Sequence, residues 1–174
     1  MIIDALNQFL RGYIVNPSLS PNGDPIGGTA GFLKILQKLC REVKPDKVVI
    51  CWDGKGGSRK RKLVNKNYKE GRAPLRLNRD IRTLTAQEEL QNKIWQQMRL
   101  MEYLNNFPVT QLVFDEVEAD DVISFVAQMP DFKGWQKVIV SSDKDFFQLL
   151  DNETLAYRPT QHEILNKNMI VEKF

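Results

Sequence analysis

The spacing of apolar and polar residues predicts short strands that alternate with helices. Apolar runs of strand length cover residues 1–4, 47–53, 109–114 and 135–143. Apolar positions that recur every three or four residues, as on the buried face of a helix, cover residues 29–43, 85–107 and 118–129. The second of these helices begins with Thr85 and has Glu88 three residues later, which is typical of a capping box. A short helix after Asp143 and two weak strands, 154–159 and 162–166, complete the pattern.

This order of elements predicts the fold class. Strands that alternate with helices form βαβ crossovers, and these give a mostly parallel central sheet with helices on both faces. We therefore expect an α/β fold. Residues 55–84 do not fit the pattern, because they include few apolar residues, many charges and Pro74. Such a segment cannot bury a core of its own, so we expect a basic loop or arch inserted outside the sheet.

The net charge of +3 conceals an uneven distribution. Eleven Lys and Arg residues between Lys55 and Arg82 stand against two acids, whereas the rest of the chain has a net charge of −6. A basic segment on an acidic body indicates a polyanionic partner. Tyr68 lies among these cations, and an aromatic ring between phosphate-binding groups is typical of a single-strand binding site. An inert, solvated charged surface is the alternative interpretation.

The remaining composition excludes several classes of protein. Cys40 and Cys51 lie apart in apolar runs, which indicates reduced, buried thiols rather than a disulfide. With His162 as the one histidine, a His/Cys metal site is nearly excluded. No apolar run approaches the length of a membrane span, and the first residues do not resemble an export signal. We therefore expect a cytoplasmic protein with no membrane partner.

Acidic residues follow each of the four predicted strands. The first two strands end at Asp4 and Asp53, the third leads into the acidic stretch Asp115–Asp121, and the fourth is followed by Asp143 and Asp145. The carboxyl ends of parallel strands lie along one edge of a sheet, where ligands bind. The four acidic groups are therefore expected to converge, although each one taken alone is more often a turn or a helix cap.

Convergence would bring like charges together. Two carboxylates about 4 Å apart repel by roughly 4 kcal/mol at an effective dielectric constant near 20. Glu118 and Asp121 are also three residues apart, so they would share a helix face beside Asp120. Oxygen-only ligands favour Mg²⁺, with Mn²⁺ as an alternative, and this many carboxylates could hold two ions. The predicted metal ligands are Asp4, Asp53, Glu118, Asp120, Asp121, Asp143 and Asp145.

Six segments resemble the 5′-nuclease family, and they occur in the family's order. They are IIDALN, GGTAGFLKIL, WDGKGGSRK, NYKEGR, EADDVI and VSSDKDFFQLL. The family comprises flap endonucleases, the 5′→3′ exonuclease domains of bacterial DNA polymerase I and related phage enzymes. The resemblance covers nearly the whole chain and is nearest to bacterial and phage members. It implies a PIN-like fold, two Mg²⁺ ions and a helical arch that a 5′ single strand enters.

The resemblance also implies roles for single residues. Lys69 and Arg72 would contact the scissile phosphate, while Asp53 and Asp120 would act in catalysis at the metal site. Together with the charge of the basic segment, it indicates nucleic-acid contacts by Arg59, Lys60, Lys62, Lys66, Tyr68, Lys69, Arg72 and Arg76.

These observations predict a metal-dependent 5′→3′ exonuclease or flap endonuclease that acts in DNA replication or repair. Its substrate would be DNA with a 5′ single-stranded flap or an RNA–DNA hybrid. Residues 1–174 would form one N-terminal catalytic domain, without the helix-hairpin-helix part with which family members continue. Replication proteins or a separate C-terminal half would then be its protein partners.

Other interpretations stay open at this point. The chain could be a catalytically impaired module that binds branched or single-stranded DNA, or half of a split nuclease. A PIN-type ribonuclease and a TOPRIM-type phosphotransferase are further alternatives. The long basic segment argues against the ribonuclease, and a phosphotransferase would leave Asp4 and Asp53 without a role.

Overall fold

The computed structural model describes residues 1–57, 81 and 84–173, so most of the predicted arch lies outside the described residues. The chain forms two compact units. The described residues of the first unit are 1–8, 47–57 and 109–173, and those of the second are 9–46, 81 and 84–108. In the part of the chain that the model describes, none of the helices combines the length and the apolar character that crossing a bilayer requires.

The first unit contains a six-stranded sheet with the order β3-β2-β1-β4-β5-β6. The strands are β1 (Ile2–Asp4), β2 (Val49–Cys51), β3 (Thr110–Leu112), β4 (Lys137–Val140), β5 (Thr154–Arg158) and β6 (Glu163–Leu165). Strands β1 to β5 run parallel to one another, and β6 is antiparallel to β5. The predicted α/β class with a mostly parallel sheet is therefore confirmed.

The described residues also contain five α-helices and two 3₁₀ helices. The α-helices are α1 (Ala5–Val15), α2 (Gly27–Val43), α3 (Ala86–Leu104), α4 (Ala119–Gln128) and α5 (Lys167–Lys173). The 3₁₀ helices are Pro130–Phe132 and Lys144–Leu149. Sequence spacing predicted α2, α3, α4 and the second 3₁₀ helix, but it missed α1 and α5. It missed α1 because this helix follows β1 directly, without the turn residues that would separate a strand from a helix.

Helix α4 packs on the sheet through the face that its spacing predicted. Ala119, Val122, Ile123 and Val126 are all buried and belong to the core cluster of the first unit. Strand residues complete this cluster, including the fully buried Cys51. Removing such side chains from water is the main favourable contribution to the unit's stability. The second thiol, Cys40, is only partly buried, so the prediction of two buried cysteines was half right.

In the second unit, a side chain of α3 caps the start of α2. Residue Ile26 at the N-cap position of α2 has an apolar side chain, which offers no acceptor to the first N–H groups of the helix. The buried Gln96 supplies one, since its Oε1 accepts hydrogen bonds from the N–H groups of Gly28 (2.8 Å) and Thr29 (3.1 Å). The predicted capping box of α3 is also present, with Glu88 as its partner.

We expect Gln96→Leu to lower the free energy of unfolding by about 2–4 kcal/mol, because two buried N–H groups lose their acceptor. Urea unfolding followed by circular dichroism measures this loss. Gln91→Leu is the matched control, because Gln91 lies on the same helix but is exposed, and should change stability by less than about 0.5 kcal/mol. Equal stability of the two variants would refute the capping role.

Candidate functional site at the carboxyl edge of the sheet

The parallel strands bring the predicted acidic residues to one edge of the sheet. Strands β1, β2, β3 and β4 are neighbours and point the same way, so all four end on that edge. Asp4 is the last residue of β1, and Asp53 follows the end of β2 by two residues. Glu118 lies at the start of α4, beyond the end of β3, and Asp143 follows β4. The topology therefore agrees with the expected convergence of the strand ends.

Asp4 is the most buried of these aspartates, with 7% of its surface exposed. Its Oδ1 accepts a hydrogen bond from the N–H of Asn7 (3.1 Å), and its Oδ2 accepts one from the hydroxyl of Ser141 (2.9 Å). Burial raises the pKa of Asp4 to about 6, although both hydrogen bonds lower it. The negative charges of Asp120 and Asp53 raise this pKa further, so both of these carboxylates lie within electrostatic reach of Asp4.

Small polar residues join the end of β4 to the start of α1. The hydroxyl of Ser141, which donates to Asp4, also accepts a hydrogen bond from the N–H of Asp143 (3.1 Å). The side chain of Asn7 accepts one from the N–H of Ser142 (3.1 Å). Sequence reasoning did not single out these three positioning residues. The sequence did contain a signal for them, because all three are small polar residues close to a strand end that carries an acid.

Two glycines allow the loop after β2 to lie directly against the loop before α4. The N–H of Gly54 donates to the carbonyl of Val117 (2.9 Å), and the N–H of Glu116 donates to the carbonyl of Lys55 (3.0 Å). A Cβ atom on Gly54 would lie 1.7 Å from the carbonyl oxygen of Phe114, and one on Gly57 would lie 2.8 Å from that of Val117. Any larger residue at these two positions would force the loops apart.

This loop contact places Asp53 at the start of α4. Its Oδ1 accepts a hydrogen bond from the N–H of Ala119, the first residue of the helix, at 2.9 Å. Glu118 itself occupies the N-cap position and is 2% exposed, whereas Asp121 is exposed. Glu118 thus lies one residue before the helix on which it was expected, and its carbonyl accepts hydrogen bonds from the N–H groups of Asp121 (3.2 Å) and Val122 (3.4 Å). Both Asp53 and Glu118 instead lie at its positive end, which stabilises negative charge.

The other predicted acids differ in their surroundings. Asp120 is partly buried in the first turn of α4. Asp143 and Asp145 are both exposed, and Asp143 caps the 3₁₀ helix by accepting a hydrogen bond from the N–H of Asp145 (2.9 Å). Asp115 and Glu116, which precede the helix, are exposed as well.

The chemistry of this edge suits a hard divalent cation. Within residues 1–57, 81 and 84–173, no three His, Cys, Asp or Glu side chains form a group already arranged to hold a metal ion. Asp53 and Asp120 are nevertheless close enough to Asp4 for their charges to raise its pKa. All the groups involved offer oxygen atoms, which Mg²⁺ and similar ions prefer as ligands. The residues therefore fit such an ion by donor type and by charge.

The remaining residues that the sequence pointed to lie away from this edge or outside the described part of the chain. His162 is in the turn between β5 and β6, where its Nδ1 lies 3.3 Å from the hydroxyl of Tyr157. The predicted nucleic-acid contacts all lie outside the described residues, and their roles stay predictions. They are Arg59, Lys60, Lys62, Lys66, Tyr68, Lys69, Arg72 and Arg76.

Comparison with solved structures supports the fold. The zinc-bound phage T5 5′-exonuclease matches with a TM-score of 0.70 at 17% identity, covering 99% of this chain and 59% of that chain. A T5 flap endonuclease complex with DNA and metal ions gives the same score and the same coverage at 17% identity. The expected PIN-like fold is therefore confirmed.

Comparison with sequences identifies the family. The 5′-3′ exonuclease of Aquifex aeolicus is 28% identical, with 99% of this chain and 55% of the relative covered. The flap endonuclease Xni of Vibrio vulnificus is 29% identical, with 100% and 61% covered, so the chain spans little more than half the length of these relatives. A family model described as 5′-3′ exonuclease, N-terminal resolvase-like domain matches residues 1–174. The resemblance found in the motifs is thus confirmed, and the chain belongs to the 5′-3′ exonuclease family of 5′ nucleases, in its N-terminal resolvase-like domain.

Proposed function

We propose that this chain is a divalent-metal-dependent nuclease that hydrolyses phosphodiester bonds near the 5′ ends of DNA. Relatives named 5′-3′ exonuclease and flap endonuclease support this proposal. The observation that carries it is the buried carboxyl of Asp4, which lies 7% exposed at the carboxyl edge of the sheet with Asp53 and Asp120 in electrostatic reach, and whose pKa is raised to about 6 by that burial. A group that is costly to ionise, at the ligand-binding edge of a parallel sheet, is characteristic of a functional site.

The ions in this proposal are Mg²⁺, two in number, with Mn²⁺ as a substitute. The chain's own groups would hold them through oxygen atoms of Asp4, Asp53, Glu118, Asp120, Asp121, Asp143 and Asp145. When bound, divalent ions offset the charge of the carboxylates and polarise the phosphate and the attacking water. The hydrogen bonds that Asp4 receives from Asn7 and Ser141 limit the rotation of its side chain. An acceptor held in this way needs little reorganisation when its ligand arrives.

The basic segment supplies the complementary charge in the proposal. Residues 55–84 would act as the arch of a single catalytic domain formed by residues 1–174. Lys69 and Arg72 would neutralise the non-bridging oxygens of the scissile phosphate, and Tyr68 would stack on a base. The substrate would be a 5′ flap or an RNA–DNA hybrid met in the cytoplasm. Replication proteins would be its partners.

The double variant Asp143→Asn with Asp145→Asn should lose cleavage of a labelled 5′-flap DNA in Mg²⁺ by a factor on the order of 100 or more. Its DNA affinity in EDTA should not fall, and it should rise by less than about threefold, because both changes remove negative charge from a surface that repels DNA. Denaturing gels measure the cleavage rate, and fluorescence anisotropy measures the affinity.

The matched control is Asp131→Asn, which removes another exposed carboxylate from the 3₁₀ helix Pro130–Phe132 before β4. It should cleave like the wild type. Full cleavage by the double variant would remove both residues from the mechanism. A wild-type chain that binds flap DNA but cleaves it in neither Mg²⁺ nor Mn²⁺ would instead support the binding-module alternative, and titration calorimetry should then detect one ion or none.

Asp4 gives the metal-free protein a defined pH dependence. The folded-state pKa of about 6 lies above the ordinary value of 3.8, so the folded chain binds this proton more tightly than the unfolded chain does. The stabilising contribution of Asp4 is therefore fully present below about pH 4, and roughly 2–3 kcal/mol of it is lost as the pH rises through 6. Asp4→Asn, which cannot ionise, should remove most of this loss.

Urea unfolding in EDTA at several pH values between 4 and 7.5 measures the effect. Mg²⁺ added at pH 7.5 should restore stability to the wild type but much less to Asp4→Asn, since the ion replaces the proton as the partner of Asp4. Asp131→Asn again serves as the control for loss of one carboxylate. If the free energy of unfolding varies with pH in the same way in the wild type and in Asp4→Asn, the ionisation of Asp4 does not destabilise the fold and this account of Asp4 is wrong.

A further inference from the structure

An aromatic side chain lies exposed beside the acidic edge of the sheet. The apolar run that predicted the third strand extends to residue 114, but β3 ends at Leu112. Phe114 therefore follows the strand rather than continuing it, and 51% of its surface is exposed. Single exposed apolar residues are common on protein surfaces, so exposure alone has no functional meaning. Phe114 differs from other exposed apolar residues in two ways: it lies near the acidic edge, and its backbone is held in place.

The backbone of Phe114 is held from two sides. Its carbonyl oxygen accepts a hydrogen bond from the N–H of Val117 (3.2 Å). On the other side Gly54 lies so close to this oxygen that no side chain would fit at position 54. The ring is thus carried by a fixed loop and reaches into solvent. A rigid, exposed aromatic ring can bind a flat partner with little loss of conformational entropy.

The same loop contact brings a cation and the candidate metal ligands into the same region. Gly54 is preceded by Asp53 and followed by Lys55, whose side chain is exposed and whose carbonyl accepts the N–H of Glu116. Lys55 is also the first cation of the basic segment. The exposed acids Asp115 and Glu116 directly follow Phe114 and would repel a phosphate group. A nucleic-acid strand passing here would therefore turn a base, rather than its backbone, towards the ring.

We propose that Phe114 is a substrate-binding residue whose ring stacks on one base of a single-stranded segment, next to the carboxylate edge. Lys55 contacts the phosphate adjoining that base. The inference rests on the proposed nuclease function and adds a described contact to the arch contacts proposed above. Because every base has a π-face, this contact recognises single-stranded nucleic acid without strong sequence preference.

The test compares three Phe114 variants with a matched control. Phe125→Ala removes another exposed phenylalanine, 68% exposed, which lies in the middle of α4 and about 10 Å along the helix from its start. Affinity for a labelled single-stranded oligonucleotide and for a 5′-flap substrate is measured by anisotropy in EDTA. Phe114→Ala should weaken binding by about 5- to 30-fold. Phe114→Leu should behave like Phe114→Ala, whereas Phe114→Trp should keep wild-type affinity, and Phe125→Ala should stay within about twofold.

A scan of abasic sites locates the contact and separates stacking from a loss of structure. In the wild type, one abasic position should weaken binding by the same factor as Phe114→Ala, and this position should have no further effect in the variant.

Thermal unfolding should be alike in all variants, because the ring is half in solvent. In Mg²⁺, Phe114→Ala should raise KM more than it lowers kcat. Lys55→Gln should reduce the slope of log affinity against log salt by about 0.7.

The outcomes distinguish this inference from the proposed function. Normal cleavage and affinity in Phe114→Ala, or equal losses in Phe114→Ala and Phe125→Ala, overturn the stacking contact and leave the nuclease proposal intact. An abasic effect that persists in Phe114→Ala also overturns it. A wild-type chain that neither binds nor cleaves DNA overturns both proposals. Binding without cleavage in the wild type, combined with the expected variant pattern, supports the stacking contact and contradicts only the nuclease.

Discussion

The Asp53 carboxylate accepts a hydrogen bond from the N–H of Ala119, and this bond joins two loops that leave neighbouring strands. It can form because Gly54 and Gly57 let the first loop approach the second to backbone contact distance. The loops are far apart in sequence, so the parallel pairing of β2 with β3 must bring them together first. Without this contact Asp53 would have no fixed position relative to Glu118 and Asp120. The arrangement of the acidic edge thus depends on a steric constraint at two glycines.

Two helix N-termini partly compensate the negative charge at this edge. Asp4 accepts an N–H from the first turn of α1, and Asp53 accepts the first N–H of α4. Each carboxylate therefore lies at the positive end of a helix, an arrangement that commonly contributes about 0.3–1 kcal/mol. For Asp4 the compensation is incomplete, because burial still holds its pKa near 6. The remaining electrostatic cost is what a bound divalent cation would remove, and it links the fold of this edge to the proposed chemistry.

Sequence reasoning succeeded where local pattern decides structure and failed where distant contacts decide it. The buried runs of β1, β2 and β4 and the spacing of α2, α3 and α4 are local signals, and so is the capping box at Thr85. The acids at the strand ends could be grouped because parallel strands end on one edge. The cap that Gln96 provides to Gly28 joins residues 68 positions apart, which spacing cannot show. The hydrogen bond from the Ala119 N–H to Asp53 joins residues 66 positions apart, so spacing could not show it either.

Anomalous diffraction from crystals grown with Mn²⁺ tests the central claim most directly, because it locates bound ions without relying on activity. The arrangement of the acidic edge predicts at least one strong peak within coordination distance of the Asp4 or Asp53 carboxylate, with Glu118 or Asp120 as a further ligand. A second peak towards Asp143 and Asp145 would account for two ions. Strong Mn²⁺ peaks elsewhere on the molecule, with none at the carboxyl ends of β1, β2 and β4, would contradict the claim that these acids form the metal site.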